Sequence, residues 1–302
     1  MKKIGTLVTS SLVVLLVALA PAPATPQSAP TAPMGYSVQS DSNTDVLYAI
    51  NLATGAAAPL GPTGFGDVES LAFNPDCSTL YAVDDVKDRL ITCSTATGAC
   101  TAVGALGVDV TDTGLAFTSN GGLFMSTDAP KNPSNFYRLD PATGRATLIG
   151  VQGQEVTGLA ANRNGLFGLG GDGRNNLVRI DPRTGRATQV GSLGAVATPD
   201  GGIDFDARGV LYGITDGGST PNSPSQIFTV NPVTGAAQVV ANVTSGGQTI
   251  NGFEGLAIDD GICSVLIPKA AAIDAPTASE WALGSLAIAL AFAGVFVLRR
   301  LF

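Results

Sequence analysis

The sequence contains no histidine, and its 302 residues include only 16 basic side chains, four cysteines and 6% aromatics. Without histidine there is no serine–histidine or cysteine–histidine nucleophile pair, and no histidine-ligated metal centre. With 24 acidic residues against those 16 bases there is no basic stripe, which argues against nucleic acid as a partner. Long helices are disfavoured by 38 glycines and 18 prolines, whereas many turns and short strands are favoured. A hydrophobic share of 45% is nonetheless ample for a packed core.

Basic residues mark both ends. Met1-Lys2-Lys3 precedes an apolar run from Ile4 to Ala20 and the small residues Ala22-Pro23-Ala24. This order predicts a secretory signal peptide over residues 1–24, followed by a Pro/Ala/Thr-rich leader over 25–34. Trp281 to Leu298 is an uncharged run of 18 residues ending at Arg299-Arg300. At 1.5 Å per residue such a helix spans about 27 Å, near the hydrocarbon thickness of a bilayer. A transmembrane helix over 281–298 is expected, with the basic tail 299–302 cytoplasmic and the body outside. Residues 268–280 form the linker.

Between the ends the chain repeats itself. Thr-Gly pairs recur at Gly55, Gly98, Gly144, Gly185 and Gly235. A small–apolar–small–apolar word surrounds Leu71, Leu115, Leu159, Ile203 and Leu256, and Leu-Tyr or Leu-Phe recurs at Leu80, Leu123, Leu166 and Leu211. All three markers keep a period of about 44 residues, the length of a four-stranded propeller blade. The reading is all-β: a five-bladed β-propeller of four-stranded antiparallel blades over residues 35–267. Blades one to four begin near Val68, Val110, Val156 and Gly201. The fifth takes its inner strand from around Leu256 and its other three from Tyr36–Val38, Val46–Ile50 and Ala57–Leu60, so the two ends close the ring.

Cys93 and Cys100 flank a hairpin turn in blade one and are expected to form a disulfide in an exported chain. Cys77 and Cys263 lie in equivalent turns of ring-adjacent blades, where either a bridge or two thiols fits the sequence.

Carboxylates are the remaining candidates for chemistry. Asp41, Asp85, Asp128, Asp172 and Asp216 recur every 43 or 44 residues just after the second strand. They read either as an acidic ring or as aspartates capping their own turns. With the loops about 10 Å from the axis, neighbours stand about 12 Å apart, too far to share one calcium ion. Glu69 and Glu254 each precede an inner-strand leucine by two, with Asp67, Asp112, Glu155 and Asp200 nearby. Such carboxylates at a channel mouth would bind a cation, calcium among them, or raise one another's pKa; equally, they would be ordinary exposed acids. Asp204 replaces an alanine that every other inner strand carries. Gly168-Leu-Gly170-Gly171-Asp172-Gly173 imitates a dinucleotide loop but precedes a strand, and Asp204-Phe-Asp206 imitates a calcium loop with Arg208 at a ligand position. Neither carries a cofactor.

The tail adds a resemblance. Ala275-Pro276-Thr277-Ala278-Ser279-Glu280-Trp281, an apolar run and Arg299-Arg300 resemble the IPTL-type C-terminal sorting signal of Gram-negative bacteria. Pro276, Thr277, Ser279, Glu280 and Trp281 match its Ile-Pro-Thr-Leu-Ser-Glu-Trp pattern; Ala275 and Ala278 depart from it. The resemblance implies an exosortase-like membrane peptidase as processing partner and transfer to the cell surface or matrix. The repeats resemble bacterial propellers with Ile-Asp-Pro-Ala-Thr-Gly turns, which implies a fold and no activity. The expected function is a surface-held binding module for a protein or polysaccharide ligand. A cation-dependent hydrolase or lyase and a structural matrix component are the alternatives.

Overall fold

The computed structural model describes residues 32–40, 44–128, 134–171, 173–197, 200–217 and 223–259. These form five four-stranded antiparallel sheets, each a blade of one propeller. The inner strands of blades one to four are Val68–Phe73, Thr113–Phe117, Gly158–Asn162 and Gly201–Phe205. In blade five the inner strand is Phe253–Asp259, and it pairs with Met34–Gln39, followed by Val46–Asn51 and Ala57–Pro62. The expected closure by both ends of the repeat region is therefore present. Two inner strands begin later than the repeat suggested, at Thr113 and Gly158, because Asp112 adopts a left-handed φ of 33° and Val156 belongs to the connection. A small hairpin, Thr244–Ser245 with Gln248–Thr249, accounts for the long interval before blade five and was not legible in the pattern.

The repeated turn shows why the chain reverses where it does. In blade two Asp140 accepts the Ala142 N–H and the Thr143 hydroxyl, each at 2.9 Å, and Gly144 turns the chain at φ 80°. Asn51, Asp181 and Asn231 fill the same role in other blades, because a short side-chain acceptor satisfies the turn's own amides. Each turn then lies against the neighbouring blade. A Cβ added to Gly104 in blade one's outer strand would meet the Thr143 carbonyl, so that position accepts only glycine.

Burial follows the period. Five apolar cores occupy the five interfaces between blades; Leu115, for example, is 2% exposed among Val83, Leu90 and Leu123. The inner strands meet in sequence around the axis. They meet closely because Ser70, Gly114, Gly158, Gly202 and Gly255 precede the repeat's Leu or Ile. A Cβ on Gly114 would stand 2.8 Å from the Gly158 carbonyl carbon, and one on Gly255 2.8 Å from the Glu69 carbonyl oxygen.

Cys93 and Cys100 are bonded, their Cα atoms 4.0 Å apart in directly paired positions. Cys77 is disulfide-bonded too; Cys263, the partner expected for it, lies outside the described residues. So do the signal peptide, most of the leader, the linker, the sorting motif and the 281–298 segment. Among the described residues no helix is long and apolar enough to cross a membrane.

Asp204 secures the seam between blades four and five. Its Oδ2 accepts the backbone N–H of Ile258, on the neighbouring inner strand, at 2.9 Å, and its Oδ1 accepts the N–H of Phe205. Ile258 is 4% exposed, so water cannot replace that acceptor. Asp204→Ala is expected to cost about 1–3 kcal/mol of stability, read as a lower urea midpoint at unchanged slope; an unchanged midpoint would contradict the role.

Candidate functional site

At the end of the axis where the inner strands begin, carboxylates converge. Glu69, Asp112 and Asp200, carried by blades one, two and four, offer oxygens all within 4.8 Å of one another. Asp67, Glu69 and Glu254 form a second such group, and Asp112, Asp128 and Glu155 a third. Shared members join the three groups into one cluster. Two oxygens on opposite sides of a calcium ion, at about 2.4 Å each, also stand about 4.8 Å apart.

Two backbone devices aim the glutamates. Blade one loses register between Val68 and Leu71, and blade five between Tyr36 and Val38, each with one extra residue on the inner strand. In the other three blades the inner pair runs in unbroken register. The bulges thus occur only where the residue two before the leucine is glutamate, and a bulge re-aims the side chain it carries. Blades two to four hold Thr113, Thr157 and Gly201 at the corresponding position, small residues that leave the mouth open to the long ones.

The connections bearing the aspartates are clasped from the preceding blade. Asp45 Oδ2 accepts the Val68 N–H at 2.6 Å, Asp88 Oδ1 the Val110 N–H at 2.8 Å and Ser134 Oγ the Val156 N–H at 3.2 Å. Ser225 Oγ accepts the Phe253 N–H at 3.4 Å. Sequence reasoning missed these residues. Their signal is a polar side chain ten positions before each Thr-Gly glycine, with Asn175 standing there in blade three.

The cluster is costly to ionise. Glu69 is 5% exposed, and burial, with Glu254 beside it, holds its carboxyl well above the usual range. Burial and then Asp200 push Glu254 up to about 9, although Ser40 and Glu69 both hydrogen-bond to it. Burial and Asp112 raise Asp200 to about 7. Asp112 is raised by burial and Asp128, and Asp85 reaches about 7 through burial and Asp67, with which it shares a hydrogen bond. No lysine or arginine is among the main causes of any of these shifts. Among the described residues, Glu254 Oε2 and Asp85 Oδ1 are buried oxygens with no hydrogen-bond donor.

The candidates therefore divide. Glu69, Glu254, Asp67, Asp112, Glu155, Asp200 and Asp128 come together, and Asp85 adjoins them through Asp67. Asp216 acts on Asp200 electrostatically, while its carbonyl accepts the Ser225 hydroxyl and the Gly252 N–H. Of the repeated aspartates, Asp128 joins the cluster, Asp85 adjoins it and Asp216 acts on it electrostatically, while Asp41 and Asp172 lie outside the described residues. Asp204 sits away from the mouth in its seam role, and Asp206 pairs with Arg208 at 2.7 Å inside a turn. The glycine-rich stretch around Gly170 leads into the strand Asn176–Ile180, as a plain loop does.

Residues 70–160 match the profile of a family described as "Domain of unknown function (DUF4394)", a span from blade one into blade three. No curated protein matches the chain. A structural genomics protein of unknown function from Bacteroides thetaiotaomicron VPI-5482 is similar at 18% identity and a TM-score of 0.47, over 60% of this chain and 53% of that one. This chain thus spans about half the length of that protein. A chain of a nidogen/laminin complex is similar at 11% identity and a TM-score of 0.48, over 76% of this chain and 85% of that one. TolB from Acinetobacter baumannii is similar at 12% identity and a TM-score of 0.47, over 74% of this chain and 57% of that one. The blade count rests on this chain's own strand pairing.

Proposed function

We propose that this chain is an exported, surface-held binding module whose acidic mouth takes up a calcium-sized cation as part of ligand recognition. The observation that carries the reading is the convergence of Glu69, Asp112 and Asp200 within 4.8 Å, with none of them ion-paired among the described residues. Oxygen-only donors of this kind suit a hard cation. Export is supported by the leader-like residues 1–24, and surface attachment by the resemblance of Pro276–Trp281 and Arg299-Arg300 to a sorting signal read by an exosortase-like peptidase.

A second reading, a cation-dependent hydrolase or lyase, is favoured by one observation. Glu254 at about 9 would hold its proton at neutral pH while Asp200 at about 7 would be half-ionised, an unequal pair of carboxyls such as a general acid and base require. The binding reading is preferred because no nucleophile–base pair accompanies them among the described residues and the chain has no histidine. Turnover of a polysaccharide that ceases in Glu254→Gln would establish the second reading.

Calorimetric titration with calcium at pH 8 is expected to show one site per chain with Kd of about 0.1–1 mM, the range of extracellular modules. Glu69→Gln with Glu254→Gln should weaken it at least tenfold. Because protons compete for the same oxygens, affinity should rise as pH increases through about 7 and about 9. Heat-neutral titrations throughout that range would remove the proposal.

Stability without metal should move the other way. Carboxyls whose folded pKa is raised contribute fully below the unfolded values near 4, and the contribution is lost as pH rises through the folded values. For Asp200, Asp85 and Glu254 that window runs up to about 7, about 7 and about 9. In chelator, Tm should fall by several degrees between pH 5.5 and 9, less so in the double glutamine variant, and calcium should restore it at pH 9. A Tm that rises across this window would contradict the assignment.

A further inference from the structure

The opposite end of the axis is built from different chemistry. Each inner strand contributes the residue two after its repeat's leucine or isoleucine: Phe73, Phe117, Ala161, Phe205 and Ile258. All five line one cavity of about 480 Å³, a volume suited to a small molecule. Three of the rings are fixed from behind by the second strand of the preceding blade. Tyr36 packs edge-on to Phe73 at 5.5 Å, Tyr81 is tilted against Phe117 at 5.2 Å, and Phe167 packs edge-on to Phe205 at 5.5 Å. The cavity wall is thus preformed.

Blade three breaks the ring. It carries Ala161, and its corresponding second-strand residue, Phe124, stacks on Phe136 within blade two. On this side the cavity adjoins a cleft of about 740 Å³, with Thr118, Asn162, Arg163 and Asn164 lining both. Arg179 and Arg186 line the cleft further out. The described ion pairs are Arg89–Asp84 and Arg208–Asp206, so neither Arg163 nor Arg186 is ion-paired among the described residues, although Asp181 lines the same cleft and Asp206 the cavity. On a chain of net charge −8, positive side chains gathered beside an aromatic cavity mark where a negative group is received.

We propose that this end of the propeller is a second binding site, for a small aromatic or alicyclic carboxylate or sulfonate. Its apolar body enters between Phe73, Phe117 and Phe205 through the opening left by Ala161, and its anionic group meets Arg163, with Arg186 beyond. The site is independent of the acidic mouth. It lies at the other end of the inner strands, and the closely packed glycines of the axis separate the two.

Calorimetric titration of the full chain with naphthalene-2-sulfonate tests this directly. One saturable site per chain is expected. Ala161→Phe, which restores the residue three other blades carry and fills the opening, should weaken binding at least tenfold. Arg163→Ala with Arg186→Ala, two exposed substitutions that leave the fold alone, should also weaken it at least tenfold. Neutral 2-methylnaphthalene should bind the wild type no better than it binds the double arginine variant. Calcium titrations should be the same in all these proteins. Absence of a saturable site, or affinity kept in either variant, overturns the proposal.

Discussion

The structure depends on close approach of five inner strands around one axis. That approach is set by small residues, Ser70, Gly114, Gly158, Gly202 and Gly255, and completed when Phe253–Asp259 pairs with Met34–Gln39. Pairing the two ends of the repeat region in one blade leaves no inner edge open and fixes every blade relative to its neighbours. Ser37 reinforces the seam by donating its hydroxyl to the Gly255 carbonyl at 2.7 Å, and Asp204 does so from the other side.

The same constraint creates the mouth. Five connections brought to one axis bring their side chains with them, and here those side chains are acids. Bulges in blades one and five turn Glu69 and Glu254 inward, and short residues in the other blades give them room. The clasps from Asp45, Asp88, Ser134 and Ser225 hold the connections in place, so the carboxylates cannot relax apart without breaking backbone hydrogen bonds. Like charges confined in this way must take up protons or a cation. The opposite end obeys the same geometry with aromatic residues, which wall a cavity.

Much of this was legible in the sequence because a repeat advertises its period. The Thr-Gly turns, the Leu-Ala-Phe words and the split fifth blade follow from spacing alone, and the pairing of Cys93 with Cys100 follows from their places on a hairpin. Glu69 and Glu254 were also recognisable, as glutamates two before a repeated leucine. The bulges were not, because an extra residue in one strand leaves the period nearly unchanged. Nor were the clasps, since Asp, Ser and Asn share an acceptor atom and no residue type. The unequal fate of Asp85, Asp128 and Asp216 depends on which neighbour each meets across the axis, and spacing along the chain does not encode that. Asp204 stands out in the sequence only as a replaced alanine; its role appears with the Ile258 amide beside it.

The central claim is that the mouth carboxylates are a cation site held open by the fold. Anomalous diffraction from crystals soaked in terbium at pH 8.5 tests it most directly. The account predicts a single strong peak bounded by Glu69, Asp112 and Asp200. Crystals saturated with the ion that show no peak at that position, with the carboxylates still clustered, would contradict it.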